Sequence, residues 1–195
     1  MDAVIHTRRS TPGHSAKRRA AVGFSLVEVV LVISIIAMLI AIVLGVPLGM
    51  IAGLRPDHGL SRLILTGSIL GYSLPAFWVG LMLIMIFAVS LGWLPASGRG
   101  ATVSVFGIPL SFLTWDGIAH LILPAINLAI FKLALVTRLA CAGMIEERGA
   151  DYVRYARAKG LPMRRILTGH VLKNILIPIV TVLGLEFGSL IAFAV

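Results

Sequence analysis

The sequence predicts an all-α fold: a polytopic membrane helical bundle of about four spans, with a cytoplasmic coupling-helix loop. Three observations predict it. The 195 residues are 58% hydrophobic and only 13% charged, about half the charged share of an average soluble domain. The apolar residues fall in runs long enough for a helix to cross a bilayer, which takes about 20 residues. The charges cluster between those runs, as they do in the loops of membrane proteins. The net charge of +9 is therefore no nucleic-acid footprint, which would gather on one face of a soluble fold. The single cysteine, Cys141, has no partner for a disulfide and no metal-ligand spacing around it, so no metal or cofactor is expected.

Residues 1–22 carry Arg8, Arg9, Lys17, Arg18 and Arg19 against Asp2 and read as a disordered basic arm. The first span covers about 24–54. Its one charge, Glu28, is expected near the outer boundary. Gly45, Gly49 and Gly53 recur at four-residue spacing, which lets two helices approach closely in lipid. Arg55-Pro-Asp-His-Gly59 is a turn by its Pro and Gly content. The second span, about 60–93, is expected to kink at Pro75, with Trp78 and Trp93 as interfacial aromatics. Residues 94–117 are mixed in character and rich in Gly and Pro. The third span covers about 118–141. The segment 144–172 is a basic loop. With Lys173 at its edge it holds seven Lys or Arg against three acids, and Pro162 splits it into two short helices. The fourth span, 173–195, is still apolar at Val195, which leads us to expect a fragment. The domain reading is thus an arm at 1–22 and a partial transmembrane domain at 23–195.

The positive-inside rule places 148–173 in the cytoplasm and 94–117 outside. Alternation then puts 55–59 inside, with Arg55 and Arg62 in support, and the basic N-terminal arm outside. The arm conflicts with the rule. Two ionisable residues, Lys132 and Glu186, fall well inside spans, where charges are costly and usually paired. Lys132 lies 14 residues from Glu146, and Glu186 lies 13 from Lys173. Both therefore sit about 20 Å from the inner boundary at 1.5 Å per residue, and they are expected to pair across the bundle. Lining a solute pathway is the alternative.

Within the loop, Ala150 to Lys159 can form a short helix lying across the axis of the spans. Ala156 and Ala158 are small enough for a close-approaching partner. Tyr152, Tyr155 and Ala156 share one side at helical spacing. Gly160 is a natural stop, and Pro162 suits the first turn of the next helix. On these residues alone, a protein partner and an anionic lipid surface are equally good occupants.

Asp151-Tyr-Val-Arg-Tyr-Ala-Arg-Ala-Lys-Gly160, then Leu161, then His170-Val-Leu-Lys-Asn-Ile-Leu-Ile-Pro178, resembles the signature loop of ABC-importer permeases of the dipeptide/oligopeptide/nickel class. Ser73-Leu-Pro-Ala-Phe-Trp78, Leu91-Gly-Trp-Leu-Pro-Ala-Ser-Gly98 and Gly45-Val-Pro-Leu-Gly49 resemble the same class, in the right order over 42–195. The wider family carries Glu-Ala-Ala, three residues, then Gly. Here Arg154 and Tyr155 depart from that pattern, while Ala156 and Gly160 keep it. Arg138 lies where the branch places basic residues, and Cys141 stands where a second is expected. The resemblance implies an importer of peptides, nickel or similar small solutes. In such a machine two permease subunits form the pathway, ATP-binding cassette subunits dock on the cytoplasmic loops, and an extracytoplasmic binding protein delivers substrate. It assigns docking to Asp151, Tyr152, Arg154, Tyr155, Ala156, Arg157, Ala158, Lys159, Gly160 and Leu161. It also implies an additional span before residue 24, more chain after Val195, and a rigid-body switch between inward and outward access.

Two rival classes are weaker. Gly23-Phe-Ser-Leu-Val-Glu28, after a basic arm, opens a stretch over 23–40 that resembles a type IV prepilin leader; a pilin has one apolar helix followed by a soluble domain, so the alternative it leaves is a non-functional fragment or a fusion with a prepilin-like N-terminus. A membrane enzyme lacks a visible constellation: Asp116, His120, Asp151 and His170 are scattered in sequence. No catalytic role is expected.

Overall fold

The computed structural model describes residues 13–194 except 99, 102, 106, 107, 111 and 112, with side chains between 29 and 189 apart from those around the short strands. Helix α1 runs Gly13–Leu54, α2 Gly59–Ser73 and α3 Ala76–Leu83, the last continued by a π-helical turn at Ile84–Ser90. Strands β1 (Val103–Val105) and β2 (Ile108–Leu110) precede α4, Trp115–Glu147. The short α5, Asp151–Ala158, is followed by α6, Met163–Ile166, a π-helical turn at Leu167–Val171, and α7, Leu172–Ala194.

The order of contacts along α1 and α4 defines the topology. A Cβ placed on Gly45 would meet Val136, one on Gly49 would meet Ala140, and one on Gly53 would meet Met144. Nearer the helix starts, Ile33 packs with Leu121 and Ala125. Position rises together on both helices, so α1 and α4 are parallel. Helix α7 is antiparallel to them: Lys132 pairs with Glu186, while Gly143 packs on Ile175. Residue 55 therefore lies at the basic end and Trp115 at the opposite end, and residues 59–114 must carry the chain across.

That crossing bends at Pro75, where the kink is expected, and more sharply than a kink within one helix. Helix α2 and the α3–π segment are bent by 98° at the Leu74–Pro75 break. Pro75 cannot donate to the Gly71 carbonyl, and it sits instead as the N-cap of α3. Neither limb has the length of a full span. Among the described residues three helical stretches are long and apolar enough to cross alone, Val29–Leu54, Trp115–Glu147 and Met163–Ser189, and the count is four where the bent pair is taken as one broken span.

Three further boundaries differ from the sequence reading. Helix α1 begins at Gly13, so residues 13–22 of the arm are helical rather than disordered; they continue the span at the end opposite the basic loop. Residues 1–12 and the side chain of Glu28 lie outside the described residues. The non-helical part of the loop is short, because α4 reaches Glu147 and the last long helical stretch begins at Met163. Within 94–117 the antiparallel pair Val103↔Leu110, Ser104↔Pro109, Val105↔Ile108 forms a small hairpin.

Large side chains point outward and small ones inward along α1. Leu39, Val43, Leu44 and Ile51 are exposed, while Ser34, Ala37, Ala41, Ala52 and the three glycines are buried. This is the pattern of a helix solvated by lipid, where small residues let backbones meet. Ser34, Ser68 and Thr181 each return their hydroxyl to the carbonyl four residues back, which pairs these three groups in an apolar medium.

Candidate functional site: the short helix between two spans

Helix α5 sits at the basic end, between the end of α4 and the start of the last span. The hinge entering it is Arg148–Ala150, and Arg148 donates from Nη1 to the Leu54 carbonyl at 3.0 Å, joining the loop to the end of α1. Asp151 occupies the first turn and Arg157 the last, each with the sign that complements the helix dipole. Gly160 ends the helix with φ +77°. Its N–H donates to the Arg157 carbonyl at 2.9 Å, and the Leu161 N–H donates to the Ala156 carbonyl at 3.2 Å. That pair of bonds is the Schellman arrangement. Pro162 caps α6 one position before its first residue, where its missing N–H costs no helical bond.

The buried face of α5 corrects the expected one. Val153 and Ala156 point into the core and are 1% and 7% exposed. They pack in one cluster with Met144, Ile166, Val171 and Ile175, and Tyr152 and Leu161 lie against it. Ala156 therefore seats the helix on its own bundle. The outward face is Asp151, Arg154, Tyr155, Arg157, Ala158, Lys159 and Gly160, all exposed. Lys159 Nζ lies 4.6 Å over the Tyr155 ring, a cation–π contact. Arg154 and Asp151 approach at 3.8 Å, fully in solvent, where such pairs contribute little. The outward surface is thus four charges and one tyrosine around a small central Ala158.

Sequence reasoning missed what locks this helix to the spans. Tyr152 Oη donates to Glu147 Oε2, and Asn174 Nδ2 donates to the same oxygen at 3.2 Å. One carboxylate oxygen at the end of α4 therefore holds α5 and α7 together. The Tyr152 ring also meets His170 edge-on at 6.4 Å. Burial, then the Glu147 hydrogen bond and charge, push the Tyr152 phenol up to about 12, with Asn174 opposing. The phenol therefore keeps its proton through the physiological range. The only sequence signal was a Glu five residues before a Tyr across a turn, and the third member is 27 residues on from Glu147.

Elsewhere, Lys132 Nζ and Glu186 Oε2 form an ion pair, with side chains 15% and 36% exposed. This brings together the two intramembrane charges. Gly45, Gly49 and Gly53 all face α4. Arg138 is exposed and Cys141 is buried. Asp116 and His120 are neighbours on α4, 3.8 Å apart, whereas Asp151 and His170 lie at the other end. No group of three metal-ligating side chains occurs among the described residues.

Residues 45–195 match the family described as binding-protein-dependent transport system inner membrane component. The di/tripeptide transport system permease protein of Pseudomonas aeruginosa is 40% identical, covering 100% of this chain and 62% of the relative. Residues 1–44 thus align with a permease as well. The dipeptide transport system permease protein of Escherichia coli strain K12 is 36% identical, over 86% of this chain and 54% of its own length. The oligopeptide transport system permease protein of Bacillus subtilis is 36% identical, over 85% and 50%. The chain spans about half to three-fifths of these relatives.

Proposed function

From the premise that this chain belongs to the binding-protein-dependent transport system inner membrane component family, we propose that it serves as a permease subunit of an ATP-driven importer of short peptides. The relatives at 36–40% identity are named for dipeptide, tripeptide or oligopeptide transport, and these names favour peptides over nickel. Its partners are ATP-binding cassette subunits at the basic end, a second related permease across the exposed apolar faces, and an extracytoplasmic binding protein at the opposite end. The chain itself breaks no bond; ATP hydrolysis belongs to the cassette subunits. The basic end faces the cytoplasm, in keeping with its charge.

The observation that carries this reading is the construction of α5. Its inner face is packed into the bundle, and its outer face presents exposed cations and Tyr155. Glu147 ties it to both flanking spans through Tyr152 and Asn174. A push on the outer face is transmitted to α4 and α7 together, because three rigid elements share one hydrogen-bonded corner. That is the mechanical requirement for converting cassette closure into a rocking of spans between two access states.

A cysteine at Ala158, exposed at the centre of the outer face, tests the docking. In the assembled complex it is expected to crosslink to the ATPase subunit, while a cysteine at the buried Ala156 is not. An assembled, ATP-hydrolysing complex in which Ala158→Cys yields no adduct would overturn the docking assignment.

A further inference from the structure

Helix α4 carries one Lys and one Arg, and only the Lys is paired. Lys132 meets Glu186 of α7. Arg138 is exposed, and among the described residues no ion pair or hydrogen bond reaches its side chain.

The register of the long helices gives its depth. On α1, Gly45, Gly49 and Gly53 meet Val136, Ala140 and Met144, so Arg55 stands level with Glu146. On α7, Glu186 meets Lys132 and Ile175 meets Gly143, so Lys173 stands level with Ile145. The basic boundary is therefore common to the three helices, and Arg138 lies seven residues inside it, about 10 Å. Between that boundary and Arg138 the neighbouring helices present Ile51 and Ile177, 45% and 66% exposed, as helices solvated by lipid do. Snorkelling towards the boundary is opposed by the backbone. Side chains tilt towards a helix N-terminus, and in α4 that direction leads away from the basic end.

The strip of α4 that carries Arg138 is the one its neighbours leave open. Val136, Ala140 and Met144 face α1, Ile130 faces Gly71 of α2, and Lys132 and Gly143 face α7. At helical spacing Arg138 shares the remaining side with Leu135, Ala142 and Ile145, and Ala142 and Ile145 are exposed. A lone cation against hydrocarbon is costly, and intramembrane charges face a water-filled cavity or an opposite charge. Glu186, the acid at mid-span, is already taken by Lys132.

We propose that this strip lines the aqueous solute pathway and that Arg138 receives the carboxylate end of a short peptide. The planar fork of guanidinium donors matches a carboxylate. Ala142, one turn nearer the basic end, leaves room beside it. The inference rests on the peptide-import reading and deepens it.

The test uses the assembled transporter in lipid nanodiscs, open to reagent from both sides, in a Cys141→Ala background. The probe is a charged, water-soluble thiol reagent. Ala142→Cys is expected to react, and Leu44→Cys, on the exposed outer face of α1, is not. Dialanine is expected to protect Ala142→Cys. Alanyl-alaninamide, which lacks the carboxylate, is expected to need about tenfold more for the same protection, the loss of one charge-assisted hydrogen bond. Adding Arg138→Gln is expected to raise the protecting concentration of dialanine by a similar factor and to leave that of the amide unchanged. Arg138→Lys, which keeps the charge but not the fork, is expected to give a smaller rise. An Ala142→Cys as unreactive as Leu44→Cys would overturn the proposal, because the strip then meets lipid or a packed partner permease. So would equal protection by the peptide and its amide, or an Arg138→Gln that changes neither. Should Arg138→Gln fail to assemble, the comparison of the two peptides on Ala142→Cys alone still decides. A wild-type transporter that imports no peptide contradicts the import reading, while the reactivity of Ala142→Cys reports separately on whether the strip meets water.

Discussion

Helix α4 is held on two faces by different physics. Against α1 the contact is steric: Gly45, Gly49 and Gly53 bring backbone to within reach of Val136, Ala140 and Met144, and even one added carbon collides. Against α7 it is made by side chains: an ion pair in mid-span, Gly143 on Ile175, and Asn174 on Glu147 at the basic end. Close-packed backbones cannot slide or rotate without losing contact along their whole length. A few long side chains can follow a moving partner by changing rotamer. The difference divides the chain into a rigid α1–α4 pair and a more adjustable α7, joined through α5. A machine that rocks needs one of each.

The largest effect should come from breaking the rigid contact. Gly49→Val places its Cβ 2.5 Å from that of Ala140, against backbone that cannot give way. It is expected to cost about 3 kcal/mol or more and to prevent recovery of the purified complex. Gly71→Ala, which meets only Ile130 at 3.7 Å, should be close to neutral in the same thermal unfolding assay. If the two behave alike, the steric account of α1 on α4 is wrong.

Breaking the adjustable contact should cost somewhat less. Lys132→Ala leaves Glu186 without its partner inside the membrane, where a lone charge at mid-span costs about 2.5–3.5 kcal/mol by insertion scales. The double change Lys132→Glu with Glu186→Lys should recover most of the loss in uptake, because α7 carries the contact on side chains. No recovery would mean that this contact is as geometrically strict as the glycine seam.

Tyr152→Phe removes the hydrogen bond to Glu147 and leaves the ring in place. A bond to a carboxylate contributes about 1.5–3 kcal/mol. The expected signature is a fall in uptake per ATP hydrolysed with hydrolysis retained, since α5 still docks but no longer drags α4. The raised phenol gives a sign for pH. Its contribution is fully present below about pH 10, its unfolded value, and is lost as pH rises towards about 12. Wild-type thermal stability should therefore show no loss from this group between pH 6 and pH 9, referenced to Tyr152→Phe.

The smallest effect should be Gly160→Ala. A side chain at φ +77° is strained by about 1–2 kcal/mol, though nothing surrounds it within 4 Å. A modest drop in thermal midpoint is expected, with docking intact.

Much of this was legible in the chain. Long apolar runs placed the four crossings, and Gly160 with Pro162 bracketed the end of α5, because these features depend only on local backbone preference and hydropathy. The depth of Lys132 and Glu186 followed from counting residues along helices of fixed rise, and the structure pairs them. What failed was direction. Tyr152, Tyr155 and Ala156 were grouped on one side, yet Ala156 is buried and Tyr155 exposed. An eight-residue helix with apolar residues on more than one side does not reveal which side meets the bundle. The hairpin at 103–110 alternates Val-Ser-Val and Ile-Pro-Leu about two residues, a signal of a hairpin that the surrounding Gly and Pro obscured.

By itself, the sequence determined a basic loop between apolar spans, and within it a short helix with a glycine stop. Those properties follow from solvation and from backbone preferences acting over a few residues. Only the tertiary structure decided which face of that helix is free, and that Glu147 binds both Tyr152 within it and Asn174 on α7. It also decided that Arg138 stands without a partner while Lys132 has one. Each of these depends on where segments tens of residues apart come to rest, and that is set by close packing rather than by any local pattern.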